Sequence, residues 1–125
     1  MNEIRAYVAD RDTLFHELDK FIDNHQVSGK KLAVLLIKID HFRRINMIHG
    51  YPVGDSLLEQ FSIRLQTASR EKDFLARMGN AEFIMILPEI INEGHSILAA
   101  NKLLSSIDEH ILIQDKKLKI NAHIG

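Results

Sequence analysis

Apolar residues recur at helical spacing in three parts of the chain, and this periodicity predicts three helices. The first begins near residue 12, with Asp12 or Thr13 as its cap, the second follows a loop over residues 50–55, and the third spans roughly residues 94–110. The residues expected to face inward are Leu14, Phe15, Leu18, Phe21 and Ile22; Leu57, Leu58, Phe61, Leu65 and Ala68; and Ile97, Ala100, Leu103, Leu104 and Ile107. A shorter helical turn is predicted over residues 41–50.

One long apolar run predicts a strand at the centre of the protein. Residues 32–40 have few polar positions, which is typical of a buried strand. Because successive side chains of a strand point to opposite faces, Lys38 and Asp40 share one face of it with Val34 and Leu36.

Two further stretches have the pattern of β-hairpins. Residues 74–78 and 82–87 predict two arms that turn at residues 79–80, a Gly-Asn pair. A second hairpin is predicted over residues 110–125, with its turn near Asp115. With the helices, this order predicts an α+β fold whose mainly antiparallel central sheet is flanked by helices.

Length and composition narrow the class of protein further. The chain has 125 residues, of which 46% are hydrophobic and 26% charged, as expected of one soluble domain over residues 1–125. Its net charge of -1 predicts no nucleic-acid partner. Its longest apolar runs are too short to span a bilayer, so no direct membrane insertion is expected. The lack of cysteine excludes disulfides and thiolate metal sites. No signal-peptide pattern is present, so the predicted location is the cytoplasm.

Four segments resemble the motifs of one family, the GGDEF or diguanylate cyclase domains. They are residues 35–46 (LLIKIDHFRRIN), 50–58 (GYPVGDSLL), 77–88 (RMGNAEFIMILP) and 120–125 (INAHIG). Their order and spacing also match, and the similarity covers nearly the whole chain from Asp10. The resemblance implies the nucleotide-cyclase palm, a ferredoxin-like fold. The chain stops on a predicted strand, so the family's last hairpin and helix are expected to be missing and the domain truncated at its C-terminus.

The resemblance also implies that the metal site is lost. In this family two domains, each holding GTP, condense it to cyclic di-GMP, and acids of two motifs hold divalent metal ions. Those two positions are Lys38 and Ala81 here, and neither side chain offers the oxygen ligand that Mg²⁺ requires. An ammonium also repels a nearby dication. The GGDEF signature is GNAEF in this chain, which identifies it as a degenerate member.

Some polar residues remain beside the lost metal positions. Glu82 matches a catalytic glutamate and is interpreted as a remnant, although a hairpin residue facing solvent explains it equally well. Lys38 is either a strand lysine that reaches solvent or an ammonium that fills the space of the metal and pairs with Asp40 or Glu82. Asn80 replaces a glycine and obstructs close approach of a phosphate, but it tolerates the left-handed turn.

Four residues match the nucleotide-binding positions of the family. Asn46 and Asp55 match the pair that reads guanine, whose N–H groups suit a carboxylate and an amide. Alternatively, Asn46 caps a turn and Asp55 caps a helix that begins near Ser56. Phe42 and Arg43 match a Phe-Lys pair, and Arg43 keeps a cation near the phosphates.

A separate R-x-x-D motif matches the family's inhibitory site for cyclic di-GMP. Arg70 and Asp73 form it, and Lys102 is the candidate for a third, basic member if one residue is inserted. A guanidinium suits a phosphate, and a carboxylate suits the guanine edge. The alternative is an exposed charged loop at the end of a helix.

These assignments lead to a functional hypothesis with two alternatives. We expect a catalytically inactive GGDEF domain that regulates a partner by binding cyclic di-GMP or GTP, beside a sensor or EAL-type domain in a longer protein. No cofactor is expected. Mg²⁺ is expected only if the domain retains residual GTP binding. The alternatives are an active diguanylate cyclase with an altered metal site and a scaffold that binds no nucleotide. A homodimer is left open.

Overall fold

The protein is an antiparallel sheet flanked by four helices, as the sequence predicts. The computed structural model describes residues 8–79, 81–107, 111–113 and 115–125, apart from the side chain of residue 116. The elements are, in order, α1 (Arg11–Ser28), β1 (Lys31–Ile39), α2 (Phe42–His49), α3 (Tyr51–Ala68), β2 (Phe74–Gly79), β3 (Glu82–Ile90), α4 (Glu93–Ile107), β4 (Ile111–Ile113), β5 (Lys116–Leu118) and β6 (Ala122–Ile124). The main sheet has the strand order β2-β3-β1-β6, and β4 and β5 pair separately.

The two faces of the sheet are covered differently, and β1 lies at its centre. Leu35, Ile37 and Ile39 are buried on one face, in a core that includes residues of α3 and α4. There the rings of Phe61 and Phe83 lie 5.5 Å apart. The other face carries a smaller cluster beneath α1. The predicted alternation of β1 is therefore confirmed, and its polar positions end up on the face opposite the main core.

The prediction of a loop over residues 50–55 was wrong, because all of these residues after Gly50 belong to the first turns of α3. The helix begins at Tyr51 and has a proline in its first turn. Proline is favoured there because its ring fixes a helical φ and its missing N–H would have no partner within the helix. Gly50, at φ 93°, makes the turn between α2 and α3. Asp55 lies inside α3 and therefore does not cap it.

Other helix details also differ from the expectation. Asp10 caps α1, because its Oδ1 accepts a hydrogen bond from the Thr13 N–H at 2.8 Å. Four residues expected to face inward are substantially exposed, namely Phe15, Ile22, Ile97 and Leu104. α4 begins at Glu93, and the predicted end of this helix lies outside the described residues, which resume at 111.

The two hairpins differ from their prediction in detail. β2 and β3 pair as expected, and on the described part of their turn both Gly79, at φ 154°, and Ala81, at φ 60°, have a positive φ. The interpretation of Asn80 falls outside the described residues. In the second hairpin β4 pairs with β5, whereas β6 joins the main sheet beside β1. The last strand of the chain therefore forms part of the central sheet.

Candidate functional site

A cleft of about 880 Å³ opens where β1 ends, between α2 and the β2–β3 hairpin. Small-molecule sites typically have volumes of this size. Six of the residues singled out in the sequence line it: Lys38, Phe42, Arg43, Asn46, Ala81 and Glu82. Its remaining lining residues are Ile39, His41, Met47 and Tyr51. The fold therefore brings most of the predicted metal and nucleotide positions to one place.

Strand register explains why the hairpin lies against the end of β1. Lys38 and Glu82 are direct partners across β1 and β3, so their side chains project from the same face. The Ile39 N–H donates to the Ala81 carbonyl at 3.0 Å, which fixes the hairpin turn beside β1. His41, at φ 56°, then reverses the chain into α2. These backbone constraints bring Lys38 of β1 close to Ala81 and Glu82 of the hairpin.

The cleft contains cations rather than a set of metal ligands. Lys38 and Arg43 are both exposed, and neither forms an ion pair in the described part of the chain. The predicted pairing of Lys38 with Asp40 or Glu82 is not observed. Asp40 instead pairs with His123, with Oδ2 and Nε2 at 2.8 Å.

These residues do not fit a divalent ion. Ala81 is 2% exposed and has no side-chain oxygen. No group of three or more histidine, aspartate or glutamate residues within the described ranges could hold a metal ion. Mg²⁺ takes oxygen ligands, and Glu82 is the one carboxylate that lines the cleft.

Asn46 contributes a buried oxygen atom that has no partner. Among the described side chains, its Oδ1 is the only buried nitrogen or oxygen without a hydrogen bond. The backbone carbonyl of Asn46 accepts from the Gly50 N–H at 2.8 Å, but the side chain caps nothing. A buried acceptor without a donor costs about 1–3 kcal/mol. Because it is buried against Gly54, this atom can meet the N–H of a ligand only if the amide turns into the cleft that Asn46 lines.

Gly54 holds Asn46 in this position by leaving room for it. A Cβ at residue 54 would lie 1.8 Å from Asn46 Oδ1, 2.9 Å from its Cγ and 3.3 Å from Phe42 Cζ. The sequence signal for this role is a glycine inside a helix, where alanine would be more favourable by about 1 kcal/mol. Sequence reasoning missed it because residues 50–55 were assigned to a loop.

The other two nucleotide-binding candidates lie differently. Phe42 is 9% exposed and belongs to the hydrophobic core as well as to the cleft wall. Asp55 is exposed on α3 and does not line the cleft. Two apolar side chains that the sequence reasoning did not select, Met47 and Tyr51, are largely exposed along the cleft.

The R-x-x-D residues bind each other. Arg70 Nε and Nη2 lie 2.9 and 2.7 Å from Asp73 Oδ1, and the Arg70 backbone N–H donates to Oδ2 at 2.7 Å. Arg70 Nη2 also donates to the Pro88 carbonyl at 2.9 Å. The Asp73 side chain is only 4% exposed. Both charged groups are thus occupied within the protein.

Lys102 is not part of this arrangement. It lines a separate groove of about 490 Å³ between α3 and α4, together with Arg64 and Thr67. Neither Arg70 nor Asp73 lines that groove. The three residues assigned to the inhibitory site are therefore not gathered around one described cavity.

Comparison with known proteins identifies the class to which this fold and cleft belong. The sequence model of the family "Diguanylate cyclase, GGDEF domain" matches residues 6–125. The chain belongs to the GGDEF domain family. No helix within the described residues has the length and apolar character needed to cross a membrane.

Individual relatives agree with this assignment. The chain is 42% identical over 118 residues to an uncharacterised signalling protein of Caulobacter vibrioides and 31% identical over 114 residues to the cyclic di-GMP phosphodiesterase NbdA of Pseudomonas aeruginosa. These alignments cover 92% and 90% of the chain, but only 14% of either relative. The chain therefore spans about one-seventh of the length of these proteins.

Solved structures show the same fold. The GGDEF domain of YfiN (TpbB) from Pseudomonas aeruginosa superposes with a TM-score of 0.92 at 26% identity, covering 96% of this chain and 75% of that one. A sensory box/GGDEF family protein from Caulobacter crescentus gives 0.90 at 29% identity, covering 99% and 80%. The chain is thus a GGDEF domain of the kind found in cyclic di-GMP signalling proteins.

Proposed function

We propose that this domain is a catalytically inactive, degenerate GGDEF domain that works as a nucleotide-sensing regulatory module in cyclic di-GMP signalling. The observation that carries the proposal is the pair of side chains at the positions of the family's metal ligands. Lys38 is a cation and Ala81 has no donor atom, and both line the cleft in which the metal ions would be needed.

The loss of activity follows from the chemistry of phosphoryl transfer. Enzymes of this type rely on divalent ions to neutralise the charge that develops on the phosphate oxygens. Glu82 alone cannot replace two missing ligands, and an ammonium beside it repels a dication. Binding without turnover is the function that remains.

GTP in the cleft is the ligand that the geometry supports better. The cleft offers two cations that form no ion pair within the described ranges, and Asn46 also lines it. Binding of cyclic di-GMP through Arg70, Asp73 and Lys102 would require the Arg70–Asp73 pair to open. We keep it as the second candidate because the R-x-x-D motif stands in the family's register. A flanking sensor or EAL-type domain would receive the signal.

An activity assay tests the proposal directly. Purified protein is incubated with GTP and either Mg²⁺ or Mn²⁺, and the products are separated by chromatography. We expect no cyclic di-GMP above background, with the diguanylate cyclase TpbB as the positive control. Formation of cyclic di-GMP at an enzyme-like rate would establish the alternative, an active cyclase with an altered metal site.

Calorimetry separates the regulatory module from a scaffold. Heat from GTP that disappears in Asn46→Ala supports the cleft as the sensing site. Heat from cyclic di-GMP that disappears in Arg70→Ala supports the second candidate. No heat from either ligand would indicate a scaffold that binds no nucleotide.

A further inference from the structure

We infer that Lys38 serves as the counter-cation for the phosphates of a bound nucleotide, so that the cleft binds GTP without a divalent ion and Mg²⁺ weakens the complex. This inference rests on the proposed function, because it concerns the same cleft and its ligand. It goes further by assigning a role to the side chain that excludes catalysis.

The charges along the cleft favour the binding of a polyanion. Lys38 and Arg43 contribute two permanent positive charges, whereas Glu82 contributes the one carboxylate in the lining. The nearby Asp40 is paired with His123 and does not line the cleft. Fixed charge in the cleft is therefore positive, and it attracts a polyanion by itself.

The position of Lys38 on the sheet leaves its ammonium available to a ligand in the cleft. Its Cα partners are Glu82 on β3 and His123 on β6, so it stands at the middle of the sheet beside the hairpin turn. The side chain is exposed and forms no ion pair within the described residues. A flexible ammonium with three donors can follow phosphate oxygens without a fixed geometry.

The remaining cleft features select a nucleotide over a simple phosphate. Asn46 lines the cleft, and its amide can bond the polar edge of a base once it turns toward the ligand. Tyr51 is 73% exposed along the same cleft and offers an aromatic surface. The volume of about 880 Å³ is large enough for both the base and the phosphates.

The effect of Mg²⁺ follows from the sign of these charges. A magnesium ion on the triphosphate lowers the negative charge that Lys38 and Arg43 attract. It also brings a dication toward an ammonium, in a cleft with a single carboxylate to hold it. Binding of Mg²⁺ to the triphosphate thus weakens its attraction to Lys38 and Arg43 and adds repulsion between Mg²⁺ and Lys38.

Calorimetric titration of the whole chain with GTP, in EDTA and in excess Mg²⁺, tests the inference. We expect binding in EDTA and a weaker affinity in Mg²⁺, by about three- to tenfold. Lys38→Met keeps the apolar stem and removes the charge, so it should weaken binding in EDTA by a similar factor and reduce the effect of Mg²⁺ to the part that Arg43 contributes. Lys31→Met is the matched control, since Lys31 is an exposed lysine at the other end of β1 and does not line the cleft.

The outcomes separate this inference from the proposed function. Binding that requires Mg²⁺, or equal affinity of Lys38→Met and the parent in EDTA, overturns the role of Lys38 but leaves nucleotide sensing intact. No binding of GTP in either condition overturns GTP sensing in the cleft and the inference with it. Guanosine serves as a probe without phosphates, and its affinity should not respond to Lys38→Met or to Mg²⁺.

Discussion

The cleft and the R-x-x-D loop contain motifs of the same family, yet their polar groups are in opposite states. In the cleft, Asn46 Oδ1 has no partner and Lys38 forms no ion pair within the described residues. In the loop, Arg70 and Asp73 bond each other, and Arg70 also donates to the Pro88 carbonyl. A motif in register therefore locates a residue but does not show whether its side chain is available to a ligand.

This difference has opposite consequences for stability. A charged pair that is largely buried and hydrogen-bonded stabilises the fold relative to either partner left alone. An unpaired buried acceptor lowers stability by the cost of its missing hydrogen bond. Substitutions in the loop should therefore affect unfolding, whereas substitutions in the cleft should mainly affect binding.

The largest effect is expected from Asp73→Ala, which removes the acceptor of the loop. It leaves the Arg70 guanidinium and backbone N–H without their partner, and we expect the free energy of unfolding to fall by about 3 kcal/mol. Urea denaturation measures this. Glu71→Ala, an exposed change in the same turn, should stay within about 0.5 kcal/mol of the parent. A normally stable Asp73→Ala that no longer binds cyclic di-GMP would instead show that the pair opens for a ligand.

The second-largest effect is expected from a substitution at Gly54, where the helix backbone leaves room for Asn46. Gly54→Ala should lower the free energy of unfolding by about 1–2 kcal/mol, because the new methyl group overlaps Asn46 Oδ1. In an Asn46→Ala background the same change should be neutral or stabilising by up to about 1 kcal/mol, since alanine is the better helix former. A double-mutant cycle by urea denaturation measures the coupling. Additive effects would mean that the two side chains do not share this space.

Asn46→Ala alone should separate stability from binding. The free energy of unfolding should not fall, because the lost oxygen has no partner and its removal relieves a cost of about 1–3 kcal/mol. GTP affinity, measured by calorimetry, should fall by at least about tenfold. Asn101→Ala, on the exposed part of α4, is the control for both measurements. A destabilised variant with unchanged GTP affinity would assign Asn46 to the fold rather than to the site.

The sequence predicted the cleft better than it predicted the loop, for a physical reason. The cleft residues were predicted from the family resemblance, because its motifs stand in register. Local periodicity supplied only the alternation of β1 and the β2–β3 hairpin, whereas the pairing of β1 with β3 joins distant parts of the chain. The Arg70–Asp73 pair is completed by the carbonyl of Pro88, 18 residues away, which no local pattern reveals. Residues 50–55 were missed because glycine and proline usually interrupt helices, whereas Pro52 lies in the first turn and Gly54 makes room for Asn46.

The smallest expected effect lies at the exposed edge of the loop, where Glu89 bonds Lys72 at 3.4 Å and Lys30 at 3.6 Å. The hydrogen bond and charge of Lys72, followed by the charge of Lys30, hold the pKa of Glu89 below its ordinary value of 4.5. A lowered acid pKa stabilises the fold above the ordinary pKa, and that contribution is lost as the pH falls through the folded-state value.

Glu89→Gln should therefore melt slightly below the parent near about pH 7 and together with it near about pH 3. Thermal melts across this range measure the difference, with Glu71→Gln as the control from the same loop. A difference that persists at low pH would show that Glu89 acts through packing rather than charge. The ion pairs of Glu89 would then not contribute to the stability of the loop. The difference between the loop and the cleft would depend on Arg70 and Asp73 alone.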